Sequence, residues 1–177
     1  MKHLKFLFIG LFALSLSGCD EALFDIVFGL NTADIKFVVE PTAEAGDIIL
    51  APTTRKVNLD SLAVANGADI NKLKSVKVKK MTAFVDLPAH ANFDVFETGE
   101  VTIGAVGLPT KIIGKFASMP KGLKQFEIIP EPDVNLLDYA RKTEITVTGK
   151  LVTNGPVIEP ITVRLLMEFE VIANPVN

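Results

Sequence analysis

The sequence predicts an all-β fold: an antiparallel β-sandwich with immunoglobulin-like or related Greek-key connections and one or two short helical turns. Three observations lead there. About eight short runs carry apolar residues at every second position between residue 34 and the end of the chain, the pattern of strands with one face on a core and one in water. Turn residues separate these runs at regular spacing, and nowhere does an apolar stripe keep the 3.6-residue period of a long amphipathic helix. A closed barrel is the alternative arrangement of the same strands.

The chain opens differently. Lys2 and Lys5 are followed by an apolar run of eleven residues from Phe6 to Leu16, and then by Ser17-Gly18-Cys19. A positive start, a short apolar stretch and small residues before a cut site make a secretory signal. At about 1.5 Å per residue the run reaches only about half of a roughly 30 Å hydrocarbon core, so it is too short to anchor the protein as a helix. Residues 1–18 are therefore expected to be removed.

Leu16-Ser17-Gly18-Cys19 resembles the lipobox of bacterial lipoproteins, and the resemblance covers the first nineteen residues. It implies that the thiol of Cys19 receives a diacylglycerol, that the leader is cut before it, and that the new amine is acylated. A lone Cys is more often a buried apolar thiol, but this one is the only Cys in the chain and stands where the leader ends. Two or three acyl chains hold a protein on a membrane permanently, where one does so only marginally. The expected partner is thus a membrane of the cell envelope, reached through lipid on Cys19, with the outer membrane favoured. Asp20 follows directly; in lipoproteins an acidic residue there accompanies inner-membrane retention in one sorting system and surface export in other lineages.

Removing the leader leaves 159 residues, enough for one domain with one core. It also removes two of the 18 Lys and Arg, leaving 16 basic against 21 acidic residues, a net −5. That balance argues against a nucleic-acid partner. Exported domains often carry disulfides, yet the only thiol here is assigned to lipid, so packing alone must stabilise the fold.

Residues 19–33 read as a lipidated N-terminus and short apolar tether. Leu23, Phe24, Ile26, Val27 and Leu30 fall on one face of a short helix, and this helix, or a strand in its place, is expected to dock on the domain; an amphipathic segment lying in the membrane interface is the alternative. The domain proper is expected to span residues 34–177. Ile35, Phe37 and Val39 alternate with polar residues before Pro41 ends the strand. Ile48 to Leu50 and Val57 to Leu59 are further short strands. Asp60 is placed to cap one helical turn closed by Asn66-Gly67, and a second turn is expected over Asp69 to Leu73.

Ser75 to Asp86 reads as the longest strand of the first half. Val76 and Val78 share one parity, and Met81, Ala83 and Val85 the other, so a β-bulge near Lys79-Lys80 is needed to turn both sets inward. Phe93 and Phe96 lead into Val101, Ile103 and Ala105. Ile112, Gly114 and Phe116 form a strand, a turn follows through residues 119–122, and Phe126 with Ile128 marks the next strand. Asp133 to Arg141 reads as a corner whose Leu136, Leu137 and Tyr139 plug one end of the fold. Ile145 to Leu151 and Ile161 to Val171 alternate most clearly of all and are expected to pair as a final hairpin.

Asn92 to Phe96 after a Lys-rich strand, the Leu136 to Tyr139 corner and the Thr-rich last strands also resemble small all-β envelope lipoproteins of unassigned function from Gram-negative bacteria. That resemblance implies a fold and carries over no functional residue.

The chemistry is defined mainly by what is missing. Without the leader the only histidine is His90, in a Pro-Ala-His-Ala-Asn loop, and there is no Gly-x-Ser-x-Gly elbow. A catalytic triad therefore has no support. Zinc asks for three or four Cys, His or carboxylate ligands. Asp60, Asn66, Asp69 and Asn71 offer oxygen to calcium but do not match the spacing of an EF-hand loop, and capping the helical turns explains them better. No Gly-rich phosphate loop occurs, and the absence of Trp with a single Tyr disfavours a sugar-stacking platform. Neither cofactor nor metal is expected.

Lys72, Lys74, Lys77, Lys79 and Lys80 put five positive charges into nine residues. They suit a solvated strand face better than a docking site for acidic polymers or headgroups, because Lys77 and Lys79 alternate with Val76 and Val78 as an outer face does. The expectation is a membrane-anchored, non-catalytic binding or structural protein whose partner is another envelope protein or a polymer. The alternative is an envelope hydrolase using a pair of carboxylates, which needs a cleft holding two converging acids.

Overall fold

The computed structural model describes residues 25–31, 34–57, 59–117 and 121–175. Cys19 and the leader lie outside the described residues. What is described is an all-β fold with ten antiparallel strands and two short helices. In chain order the elements are β1 (Ile26–Asn31), β2 (Ile35–Val39), β3 (Asp47–Ile49), β4 (Thr53–Lys56), α1 (Leu59–Ala65), β5 (Ala68–Leu87), β6 (Phe96–Ala105), β7 (Leu108–Ala117), β8 (Gln125–Pro130), α2 (Leu137–Ala140), β9 (Glu144–Thr153) and β10 (Ile161–Pro175).

The strands follow one path, β1-β10-β5-β8-β7-β6-β9-β3, with β2 also on β10 and β4 also on β9. The path folds back on itself at β8. Residues 125–128 of that strand pair with β5, while Ile129 and Pro130 pair with Lys115 and Gly114 of β7. A strand that changes neighbours in this way makes the corner between two packed layers. Strands β5 to β8 stand in the spatial order β5-β8-β7-β6, which is a Greek key whose crossing connection is residues 88–95.

The core lies between the layers. Phe37 and Leu165 from one side face Val101 and Leu151 from the other across an interior space of only about 40 Å³. A ligand pocket is roughly ten times larger, so this interior is packing and nothing else. The open ends of the path meet at a seam: Thr53 Oγ1 donates to the carbonyl of Lys36 at 3.5 Å and Arg55 Nη2 to that of Asp34 at 3.1 Å. Within the layer of β5, β10 and β2, Arg164 holds Asp86 at 2.9 Å and Asp34 at 3.4 Å while its guanidinium lies 4.3 Å from the centre of the Phe84 ring.

The alternation in β5 is resolved as the sequence requires. Phe169 is opposite Val78 and Glu168 opposite Lys80, so Lys79 is an extra, bulged residue and the parity switches there. Val76, Met81 and Ala83 are all buried. A second slip occurs in β7, where Val101 faces Gly114 and Thr102 faces Ile112. Ile113, not Ile112, is the fully buried residue of that strand.

Of the helix or strand expected to dock on the domain, Ile26–Asn31 is the strand, in register with β10 from Ala173 to Glu168; alternate exposure of Val27 (58%) and burial of Phe28 (8%) is the period-two signature. Leu23 and Phe24 fall outside the described residues. Three expectations are corrected. Val57 to Leu59 is not a strand, because Leu59 already begins α1. Asp69 to Leu73 is the start of β5, and Asp69 Oδ1 accepts from the backbone N–H of Asn71 at 2.8 Å rather than capping a helical turn. Finally, β9 and β10 form no hairpin: β9 pairs with β6, β3 and β4, and β10 with β5, β1 and β2.

The predicted turn at Asn66-Gly67 is present, with Gly67 at φ 72° and its N–H bonded to the carbonyl of Val64. The predicted corner is α2, where Leu136 and Tyr139 are buried and the Tyr139 hydroxyl donates to the carbonyl of Pro109. Burial first, and Asp138 second, raise the Tyr139 pKa above its ordinary 10.0.

Two outcomes test this arrangement. Phe28→Ala is expected to cost about 3 kcal/mol by the usual cost of emptying an aromatic core site, and Val27→Ala no more than about 0.5 kcal/mol, both read from urea unfolding; equal effects would contradict a strand. Tyr139 is the only tyrosine of a chain without tryptophan, so its ionisation can be followed by absorbance. The midpoint is expected above 10.0, and because the native pKa is raised, the stabilisation is complete below pH 10 and is lost as pH rises through the native value.

Candidate functional site

A cleft of about 550 Å³ lies on the outer face of β6, β7 and β9. Its position follows from local geometry. After Pro130 the chain leaves the sheet, and Ile129, Pro130 and Pro132 form one wall against an outer face that carries Thr98 and Val152. Gly99 lies on the floor because a Cβ there would stand 2.4 Å from the Phe116 ring. That ring packs edge-on against Phe126 with centroids 4.9 Å apart, and Phe126 against Phe93 at 4.7 Å, so the floor of the cleft is the outside of the aromatic core.

Charge crosses the cleft in a row. Glu100 of β6 is in register with Lys150 of β9 on one side and Lys115 of β7 on the other. Lys150 Nζ lies 2.6 Å from Asp47, and Lys115 Nζ lies 3.0 Å from Glu131. The sequence along the row is therefore Asp47, Lys150, Glu100, Lys115, Glu131, with sign alternating at every step. The hydrogen bond and charge of Asp47, with a further contribution from Glu100, raise the Lys150 pKa. Opposite charges facing each other across strands stabilise the sheet by about 0.2–1 kcal/mol a pair.

The residues singled out from the sequence are not brought together. His90 is on an exposed loop with Nε2 2.5 Å from Glu159 Oε1, at the end of the fold opposite α1. Asp69 and Asn71 bond to each other, Asn66 sits in the turn after α1, and the side chain of Asp60 is outside what is described. No group of three or more His, Cys, Asp or Glu able to hold a metal occurs among the described residues.

The lysine run is distributed among partners. Lys77 is opposite Glu170 and Lys80 opposite Glu168 across the β5–β10 ladder. Lys74 is 2.6 Å from Asp25, and Lys80 3.9 Å from Glu127. Where β5 has no strand on its other side, Asn135 Oδ1 accepts from the N–H of Val76, and the carbonyl of Val76 accepts from Leu136; the segment before α2 covers that edge.

The cleft residues were not apparent from the sequence. Glu100 and Lys115 flank the Val106-Gly107 turn at nearly equal distances, so the hairpin alone would pair them, but Lys150 and Glu131 reach the row only through the β6–β9 ladder and the β8 corner. The chain matches no protein-family model, no curated protein and no solved structure.

Reversing the middle of the row tests its role. Glu100→Lys is expected to lower stability by about 1 kcal/mol at low ionic strength, on the scale of like charges facing across strands, and more than Glu100→Gln does. The difference should shrink in 1 M salt, where screening acts over about 3 Å, as read from the urea midpoint at both salt concentrations.

Proposed function

We propose that this chain is an exported lipoprotein of the cell envelope, cut before Cys19 and held on a membrane, with the outer membrane favoured, by lipid on that residue. Its β domain acts by binding or as a structural part, with another envelope protein or a polymer as partner, and not by catalysis. The observation that carries the reading is the position of the only cysteine, directly after Leu16-Ser17-Gly18 and an apolar leader too short to span a bilayer.

Two features of the domain support a non-catalytic role. The interior space between Phe37, Leu165, Val101 and Leu151 is too small for a substrate, and the cleft on β6, β7 and β9 is lined by charges that compensate each other. The cleft does contain two acids, Glu100 and Glu131, which is the feature a carboxylate-dependent hydrolase would need. A glycosidase pair, however, faces a bond from two sides with open space between the carboxyl groups. Here Lys115 stands between the two acids in the row and pairs with Glu131 at 3.0 Å.

Fractionation of Cys19→Ala is the direct test. Wild type is expected in the membrane fraction with the mass of an acylated Cys19 N-terminus, and the variant in the fraction that high-salt washing releases. A variant that stays on membranes after that wash would sink the anchor. A crosslinked pull-down of the wild-type protein from detergent-solubilised membranes should then recover an envelope protein or polymer.

A further inference from the structure

We infer that the domain stands on the membrane by its α1 end, with Val64 and Val106 at the headgroup layer and the end that bears His90 and Ile158 directed away from it. This rests on the lipid anchor proposed for Cys19. From Cys19 to Asp25 there are six residues, which fully extended span at most about 20 Å. Asp25 is held to the domain by its 2.6 Å contact with Lys74, and Ile26 is already in register with Ala173. The chain therefore enters the fold beside Leu73 and Ala173, which face each other in the β5–β10 ladder.

The ladders fix which parts share that end. β5 begins there, directly after α1 and the Asn66-Gly67 turn. Val57 N–H bonds to the carbonyl of Thr143, and Gly104 is in register with Thr146, so the Val106-Gly107 turn lies at the same end of the second layer. β5 runs twenty residues from Ala68 to Leu87, about 60 Å of strand at about 3.3 Å per residue. A tether of about 20 Å keeps the α1 end near the lipid and lets the other end reach it only if the domain lies flat.

The surface at the near end suits that position. Val64 is 74% exposed on α1 and Val106 90% exposed on its turn, two exposed apolar tips. The lipid supplies the affinity and the α1 end sets the orientation. The occupant of this surface is the bilayer that holds the anchor.

The test uses the full-length protein, whose only native thiol is acylated after processing. Val64→Cys, Val106→Cys and Ile158→Cys each add one exposed thiol for a fluorophore, and the purified proteins are placed in vesicles of phosphatidylethanolamine and phosphatidylglycerol carrying headgroup spin labels. Quenching is expected to be several-fold stronger at residues 64 and 106 than at 158. Equal quenching at all three, or stronger quenching at 158, overturns the orientation while leaving the anchor intact. Protein that does not float with the vesicles overturns the anchor, and the orientation with it.

Discussion

The ladder between β5 and β10 is the constraint on which the other strands depend. β10 carries β1 and β2 on its far side, and β5 carries β8 and thereby the corner into the second layer. Two strands of twenty and fifteen residues cannot stay in perfect register over such a length while both present apolar side chains inward, because strands twist and successive residues alternate faces. The ladder solves this with slips. At three of the four register shifts a single residue is extra, Lys74, Lys79 or Asp86, and each is polar, so the residue expelled from the alternation goes to water. Two of them find charged partners there, Asp25 for Lys74 and Arg164 for Asp86.

Those expelled charges connect the ladder to the rest of the chain. Asp25 binding ties the start of β1 to the near end of β5, and the Arg164 group spans β10, the end of β5 and the residue before β2. Exposed ion pairs contribute little on their own. Their effect here is to fix where loose segments meet a sheet whose stability comes from the buried Met81, Met167, Val171 and their neighbours, fully removed from water. A chain with a single cysteine has no internal disulfide to fall back on, and the apolar core is what remains.

The same economy governs the outer surface. Strongly charged stretches in the sequence become pairs in the sheet: the lysines of β5 face Glu168 and Glu170, and the cleft is crossed by a row of alternating sign. Such a surface is suited to a neighbour of mixed charge.

The fold class was legible in the residues because a two-residue period records burial on one face of a sheet, and the bulge at Lys79 was legible because parity changes within a single strand. The leader and Cys19 are likewise read from local order alone. β1 was harder: Leu23 to Leu30 fit a helical face as well as a strand, and only the edge of β10 decides between them. The alternation in β9 and β10 showed that both are half-buried strands but not what they pair with, since period two is the same whichever neighbour supplies the hydrogen bonds. Gly99 has no local signature, because what requires it is the Phe116 ring on the next strand. The sequence by itself determined the period-two strands and which of their faces are buried, which are properties of adjacent residues. Tertiary structure alone decided the pairing of β9 and β10 and the charged row, because each depends on residues far apart in the chain being brought into register.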